Sequence, residues 1–197
     1  MRTLATLVTL FLLFSGWQYL RRHSNENRLA SVATELTQRD VDVGCPGFFA
    51  RLVEITPYGG WVNFDEHGRP ADETFLSAGT CRNLERLWRA DDPSFGCLVS
   101  RSCSRDKLAQ IDGMVTLAHE SWHLRGVTNE AQTQCYAVQS VERTALLLGI
   151  SAVDSRLVAD WVAISDAAAP RDDYHASECR PGGSFDLAPE TSTWPSA

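Results

Sequence analysis

Between Asp106 and Ile164 the apolar residues recur every three or four positions in three successive runs, and a glycine separates each run from the next. That period, close to 3.6, belongs to helices packed on a common core, so the C-terminal half of the chain is predicted to be largely helical. In the first run Leu108, Ile111, Val115, Ala118 and Trp122 share a face, Asp106 stands where an N-cap would, and Gly126 offers a left-handed stop. The second run carries Ala131, Cys135, Val138, Val141, Ala145 and Leu148 behind a capping Thr128 and stops at Gly149. The third starts from Ser151 and Asp154, spaced like a capping box, and sets Val153, Leu157, Trp161 and Ile164 along one side.

Upstream the pattern shortens. Phe48–Ile55 and Trp61–Phe64 are predicted strands joined by the turn Pro57-Tyr58-Gly59-Gly60, and Asp65 to Pro70 turns the chain again before Thr74-Phe75-Leu76. Cys81 to Ala90, with Leu84, Leu87 and Trp88 at helical spacing, is a predicted structural helix that ends before Pro93. The fold class expected is therefore α+β, a small antiparallel sheet packed on a helical core. A chain of 197 residues, 44% hydrophobic and 22% charged, suits one folded domain. We place that domain at residues 40–180. Residues 23–39, with Leu29, Val32, Ala33 and Leu36 at helical spacing, form a juxtamembrane linker or short helix, and 181–197 form a loose tail.

The segment Thr3–Leu20 is apolar and uncharged, closes with Trp17 and Tyr19, and has the length of a membrane span, with no clear cleavage site after it. Residues 1–22 are thus expected to be a transmembrane anchor or signal segment. Arg21, Arg22 and His23 beyond it would keep the body of the chain in the cytoplasm, whereas six dispersed cysteines without a Cys-x-x-Cys pair point to disulfides and an oxidising compartment. We give the cysteines more weight and expect a domain outside the cytoplasm, membrane-anchored or secreted, with Cys97–Cys103 as one pair because its loop is short. A net charge of -7 and the lack of a basic stripe argue against a nucleic-acid partner.

The first helix of the periodic region also carries His119, Glu120 and His123. Residues four apart lie one turn apart on one face, so both imidazoles can direct a nitrogen at one cation at about 2.0–2.1 Å. Glu120, rotated by about 100° from His119, can reach a water at that cation and take its proton during amide hydrolysis. The pattern His-Glu-x-x-His resembles the signature of the zincin metallopeptidases, and the resemblance covers about residues 115–131. It implies a zincin-like core, Zn2+ as cofactor, a peptide or protein substrate, His119 and His123 as metal ligands and Glu120 as catalytic base. A catalytic zinc takes three protein ligands. In the metzincin branch the third follows a glycine; Gly126 matches that glycine, but the ligand position holds Asn129. Glu130, in the first turn of the next helix, resembles the glutamate supplied by a second helix in the gluzincin branch and is the expected third ligand, with Glu142 and Asp154 in reserve. Tyr174, His175 and Tyr136 are candidates for steadying an oxyanion. The alternative is a catalytically silent, zinc-binding envelope protein that acts as an interaction module.

Overall fold

A computed structural model describes residues 2–47, 50, 58–89, 93–170, 173–191 and 194, with backbone alone at 2–5 and 8. The chain begins with one long helix, α1 (Arg2–Thr37), followed by three strands, β1 (Asp42–Gly44), β2 (Gly60–Phe64) and β3 (Pro70–Leu76). Then come α2 (Ala78–Arg89), a single 3-10 turn at Gly96–Leu98, and the helices α3 (Arg105–Leu124), α4 (Glu130–Leu147) and α5 (Ala152–Ala168). The class is α+β, and α3 to α5 are the three helices that the apolar period foretold. Gly126 and Gly149 stop the first two at φ +94° and +92°. Each stop is a doubly hydrogen-bonded left-handed turn: the Val127 amide donates to the Trp122 carbonyl and Gly126 to His123, and the same pattern joins Ile150 to Ala145 and Gly149 to Leu146.

Two of the predicted caps shift by a residue or two. Ser104 caps α3, its hydroxyl accepting from the Lys107 amide, while Asp106 lies inside the first turn and pairs with Arg86. Asn129, not Thr128, caps α4 through the Gln132 amide at 2.8 Å. Ser151 caps α5 as expected, and the Asp154 carboxylate accepts from its hydroxyl.

The sheet is mixed rather than antiparallel. Its order is β1-β3-β2, with β2 antiparallel to β3, Trp61 opposite Phe75, and β1 parallel to β3, Val43 opposite Thr74. Three residues are too few for an alternation to be read, and β1 lies where α1 delivers it. Leu29, Val32 and Ala33 of α1 are buried in the same core as Val41 and Val43. The strand predicted over Phe48–Ile55 falls almost wholly outside the described residues.

Helix α3 is central, packed by α2 and α4 with α1, β2 and β3 across from them. Met114, Leu117 and Leu124 are fully buried, and Gly113 lets Leu84 of α2 approach closely. The second half of α1 belongs to this core and is continuous with the first. Arg21 donates to the buried Glu85 of α2 at 2.6 and 3.0 Å, and Arg28 donates to the Leu148 carbonyl while its guanidinium lies over the Trp88 ring. The first half stands clear, with Leu7, Leu10, Phe11, Leu12, Leu13 and Leu20 all exposed.

Among the described residues no helix is long and apolar enough to cross a membrane. The transmembrane helix expected over Thr3–Leu20 is therefore not found among them.

Three disulfides staple the domain. Cys45–Cys81 joins the end of β1 to α2, Cys97–Cys103 closes the short loop before α3 as predicted, and Cys135–Cys179 fastens the C-terminal segment to α4. Beyond Cys179 the chain stays on the domain: the Gln139 amide donates to the Phe185 carbonyl at 2.7 Å and accepts from the Leu187 amide at 2.8 Å.

Candidate metal centre

His119, Glu120 and His123 lie in the last turn and a half of α3, all buried against the neighbouring elements. The left-handed turn at Gly126 reverses the chain so tightly that Glu130, first residue of α4, returns to face them. The Glu130 Oε2 atom stands 3.1 Å from His119 Nε2 and 3.4 Å from His123 Nε2. One ligand atom from each of the three residues lies within 4.8 Å of the others, near enough to hold a metal ion. Donors at about 2.0–2.2 Å around a tetrahedral zinc stand roughly 3.3–3.6 Å apart, close to the two distances from Glu130 to the histidines.

The protonation of the two rings is set from outside the cluster. His123 Nδ1 donates to the Val127 carbonyl at 2.7 Å, a group placed there by the same turn. His119 Nδ1 donates to Gln134 Oε1 at 3.2 Å, and the Gln134 amide donates in turn to Asp166 Oδ1 of α5, which fixes which way the amide faces. Both Nε2 atoms therefore present lone pairs toward a carboxylate oxygen. With both rings neutral, three acceptors converge with no donor among them, an arrangement that a metal ion or a shared proton satisfies. Burial and the neighbouring His123 hold the His119 imidazole below its ordinary pKa, against the pull of Glu130. A neutral ring is the form that binds a metal.

Glu120 sits beside this cluster and outside its ligand set. Its Oε2 is buried without a hydrogen-bond partner, and burial, with the Glu130 charge added, pushes its pKa up to about 8. The start of β2 presses directly on it. A Cβ at Gly60 would meet Glu120 Cγ at 2.8 Å, and one at Gly59 would meet Thr116 at 2.9 Å. The two glycines read as a turn in the sequence are thus needed for the close approach of strand to helix.

The histidines, Glu120 and Glu130 open into a cavity of about 450 Å3 whose other walls are Gly60, Trp61, Val62 and Phe64 of β2, Thr128, and the rings of Tyr58 and Tyr174. Phe64 meets the His123 ring edge-on, with centroids 5.9 Å apart. Tyr174 lies 5.9 Å from the His119 ring, and burial followed by the Glu130 charge raises its phenol pKa. His175 stands behind the cluster, its Nε2 3.6 Å from Asp166 Oδ1. Tyr136 is elsewhere, packed on Trp122 and accepting from Gln132. The two reserve carboxylates are also engaged elsewhere: Glu142 pairs with Arg156, and Asp154 accepts from the Phe95 amide.

Sequence reasoning did not name Gln134, Asp166 or the β2 wall. Gln134 had a signal, since it lies four residues after Glu130 on the same face of α4. Asp166 had none, because its contact with Gln134 exists only once α5 packs on α4. Comparison of the chain with protein-family models, with curated proteins and with solved structures gave no match.

Proposed function

We propose that this chain is a zinc-dependent peptide hydrolase with a gluzincin-like ligand set, His119, His123 and Glu130, and with Glu120 as its base. The observation that carries the reading is the convergence of three acceptor atoms, with both imidazole tautomers already set for ligation, beside a buried carboxylate oxygen that no protein group satisfies. Bound there, Zn2+ would supply a Lewis acid for a peptide carbonyl and acidify a water molecule. Glu120 would be the group that accepts a proton from the attacking water and passes it to the departing amine, and a carboxyl with a raised pKa is well matched to both transfers. Phe64 and Trp61 wall the cavity beside these groups, and Tyr174, which also lines it, would offer a phenol to the oxyanion. Two features support a location outside the cytoplasm at a membrane: three disulfides, and an α1 whose exposed first half is apolar and suited to lipid.

The test separates binding from chemistry. Purified protein is expected to hold one zinc and to cleave members of a broad peptide library. Glu120→Gln keeps the metal and loses about 10²–10⁴-fold in rate, and His123→Ala loses the metal. Zinc retained by a wild type that cleaves nothing would favour the silent interaction module, and metal content indifferent to His123→Ala would remove the site altogether.

A further inference from the structure

The cavity at His119 does not end there. A narrower space of about 140 Å3 shares Tyr58, Gly60, His119, Glu120 and Tyr174 with it and continues past Val115, Thr116 and Gln134. Those last three residues also line a third space of about 340 Å3, so the three spaces adjoin along α3 between the histidines and the face of α5. The far end has apolar walls, Ile111, Val115, Trp161 and Val162, with Asp112 on one side and Asp166 at its base. Asp112 precedes His119 by seven residues, two turns and roughly 10 Å along the helix, which puts it on the same stripe of α3. Its side chain is exposed at the rim of this space and forms no ion pair among the described residues, and partial desolvation raises its carboxyl pKa. Asp166 is already shared with the Gln134 amide and His175, so the second carboxylate adds charge more than an open ligand position. The connecting space is also lined by Glu120, whose buried Oε2 has no hydrogen-bond partner.

We propose that this far end is a subsite for a basic side chain, arginine or lysine, of the peptide bound at the His119–His123–Glu130 cluster; the inference rests on the hydrolase reading given above. The aliphatic stem of such a side chain packs on Val115 and Val162, and its cationic head reaches Asp112 over the indole of Trp161, where ring and carboxylate both favour positive charge. An extended peptide advances about 3.3 Å per residue, so the basic residue lies within about three positions of the bond that is cut.

The experiment uses the full chain, zinc-loaded, carrying Glu120→Gln so that binding is read without turnover. The probes are capped alanine-rich octapeptides bearing one Arg, Lys, norleucine or Glu at successive positions, titrated by calorimetry. Arg and Lys peptides are expected to bind at least ten-fold more tightly than norleucine at one position. Adding Asp112→Asn should bring that ratio to within about two-fold, and Asp112→Lys should turn the preference toward Glu; thermal unfolding of both variants checks that they remain folded. Equal binding of Arg and norleucine at every position, or a ratio unmoved by either Asp112 variant, would overturn the subsite. Failure of the two readings is separable. A basic preference in binding, with no cleavage by protein carrying Glu120, would sink the hydrolase and leave the subsite, whereas cleavage without that preference would sink the subsite alone.

Discussion

Which nitrogen of each histidine carries the proton is decided by groups outside the three-residue ligand cluster. The Val127 carbonyl and the Gln134 side chain take the Nδ1 protons, and Asp166 holds Gln134 in the orientation that lets it do so. Outer partners of this kind typically govern metal affinity as strongly as a modest change in the ligands. Gln134→Leu keeps the bulk of the side chain and removes its acceptor, and it is expected to weaken zinc binding by about 10–100-fold in competition with a chromophoric chelator. Unchanged affinity would mean that the hydrogen bond to His119 does not orient the ring. Glu130 was legible as a first-turn acid of the next helix, but a first-turn acid also favours the helix dipole, and only its position 3.1 and 3.4 Å from the two rings separates those roles.

Among the elements, β2 and α3 meet through atoms that a larger residue would displace. Ser77 and Thr80 hold the Gly59 carbonyl, at 2.8 Å in each case, and so fix the start of β2 over the helix. Gly60→Ala then has nowhere to go: its Cβ would meet Glu120 Cγ at 2.8 Å and Leu76 Cδ2 at 2.9 Å. Overpacking of this sort costs about 1–3 kcal/mol. The expected result is a protein that still binds zinc through residues on the other face of the cluster but cleaves peptides at least ten-fold more slowly, since Glu120 is the group displaced. A variant with wild-type stability and rate would refute the close approach. The turn dipeptide was visible in the sequence, yet its reason was not, because a Gly-Gly pair that permits a tight turn looks the same as one that permits a strand to lie against a helix.

At the scale of the whole molecule, α1 joins an exposed apolar arm to the domain without a break. The joint is the Arg21–Glu85 pair, reinforced by Arg89 at 2.8 Å from the same carboxylate. Burial works to raise the pKa of Glu85, but the hydrogen bond and charge of Arg21, with Arg89, outweigh it, so the folded value lies below the ordinary 4.5. The stability this carboxylate contributes is therefore fully present above about pH 4.5 and is lost as the pH falls through the folded value. Glu85→Gln should cost about 1–3 kcal/mol in urea unfolding at pH 7, less than a fully buried pair because Arg21 is partly exposed, and the difference from wild type should shrink on acidification. A cost that stays constant down to pH 3 would contradict the pairing.

What the sequence determined by itself were the features that depend on neighbours along the chain: the period of α3 to α5, their glycine stops, the short Cys97–Cys103 loop, and the placing of His119 and His123 one turn apart. Its apolar stretch at the N-terminus was equally plain, but not that the helix there continues unbroken through residues 23–37 into the core. The tertiary structure alone decided the parallel pairing of β1 with β3, the return of Glu130 to the histidines, and the meeting of Gln134 with Asp166. Each of these joins residues that local hydrogen bonding and side-chain period leave independent of one another. They come together only when the helices pack, and no spacing rule reaches across that step.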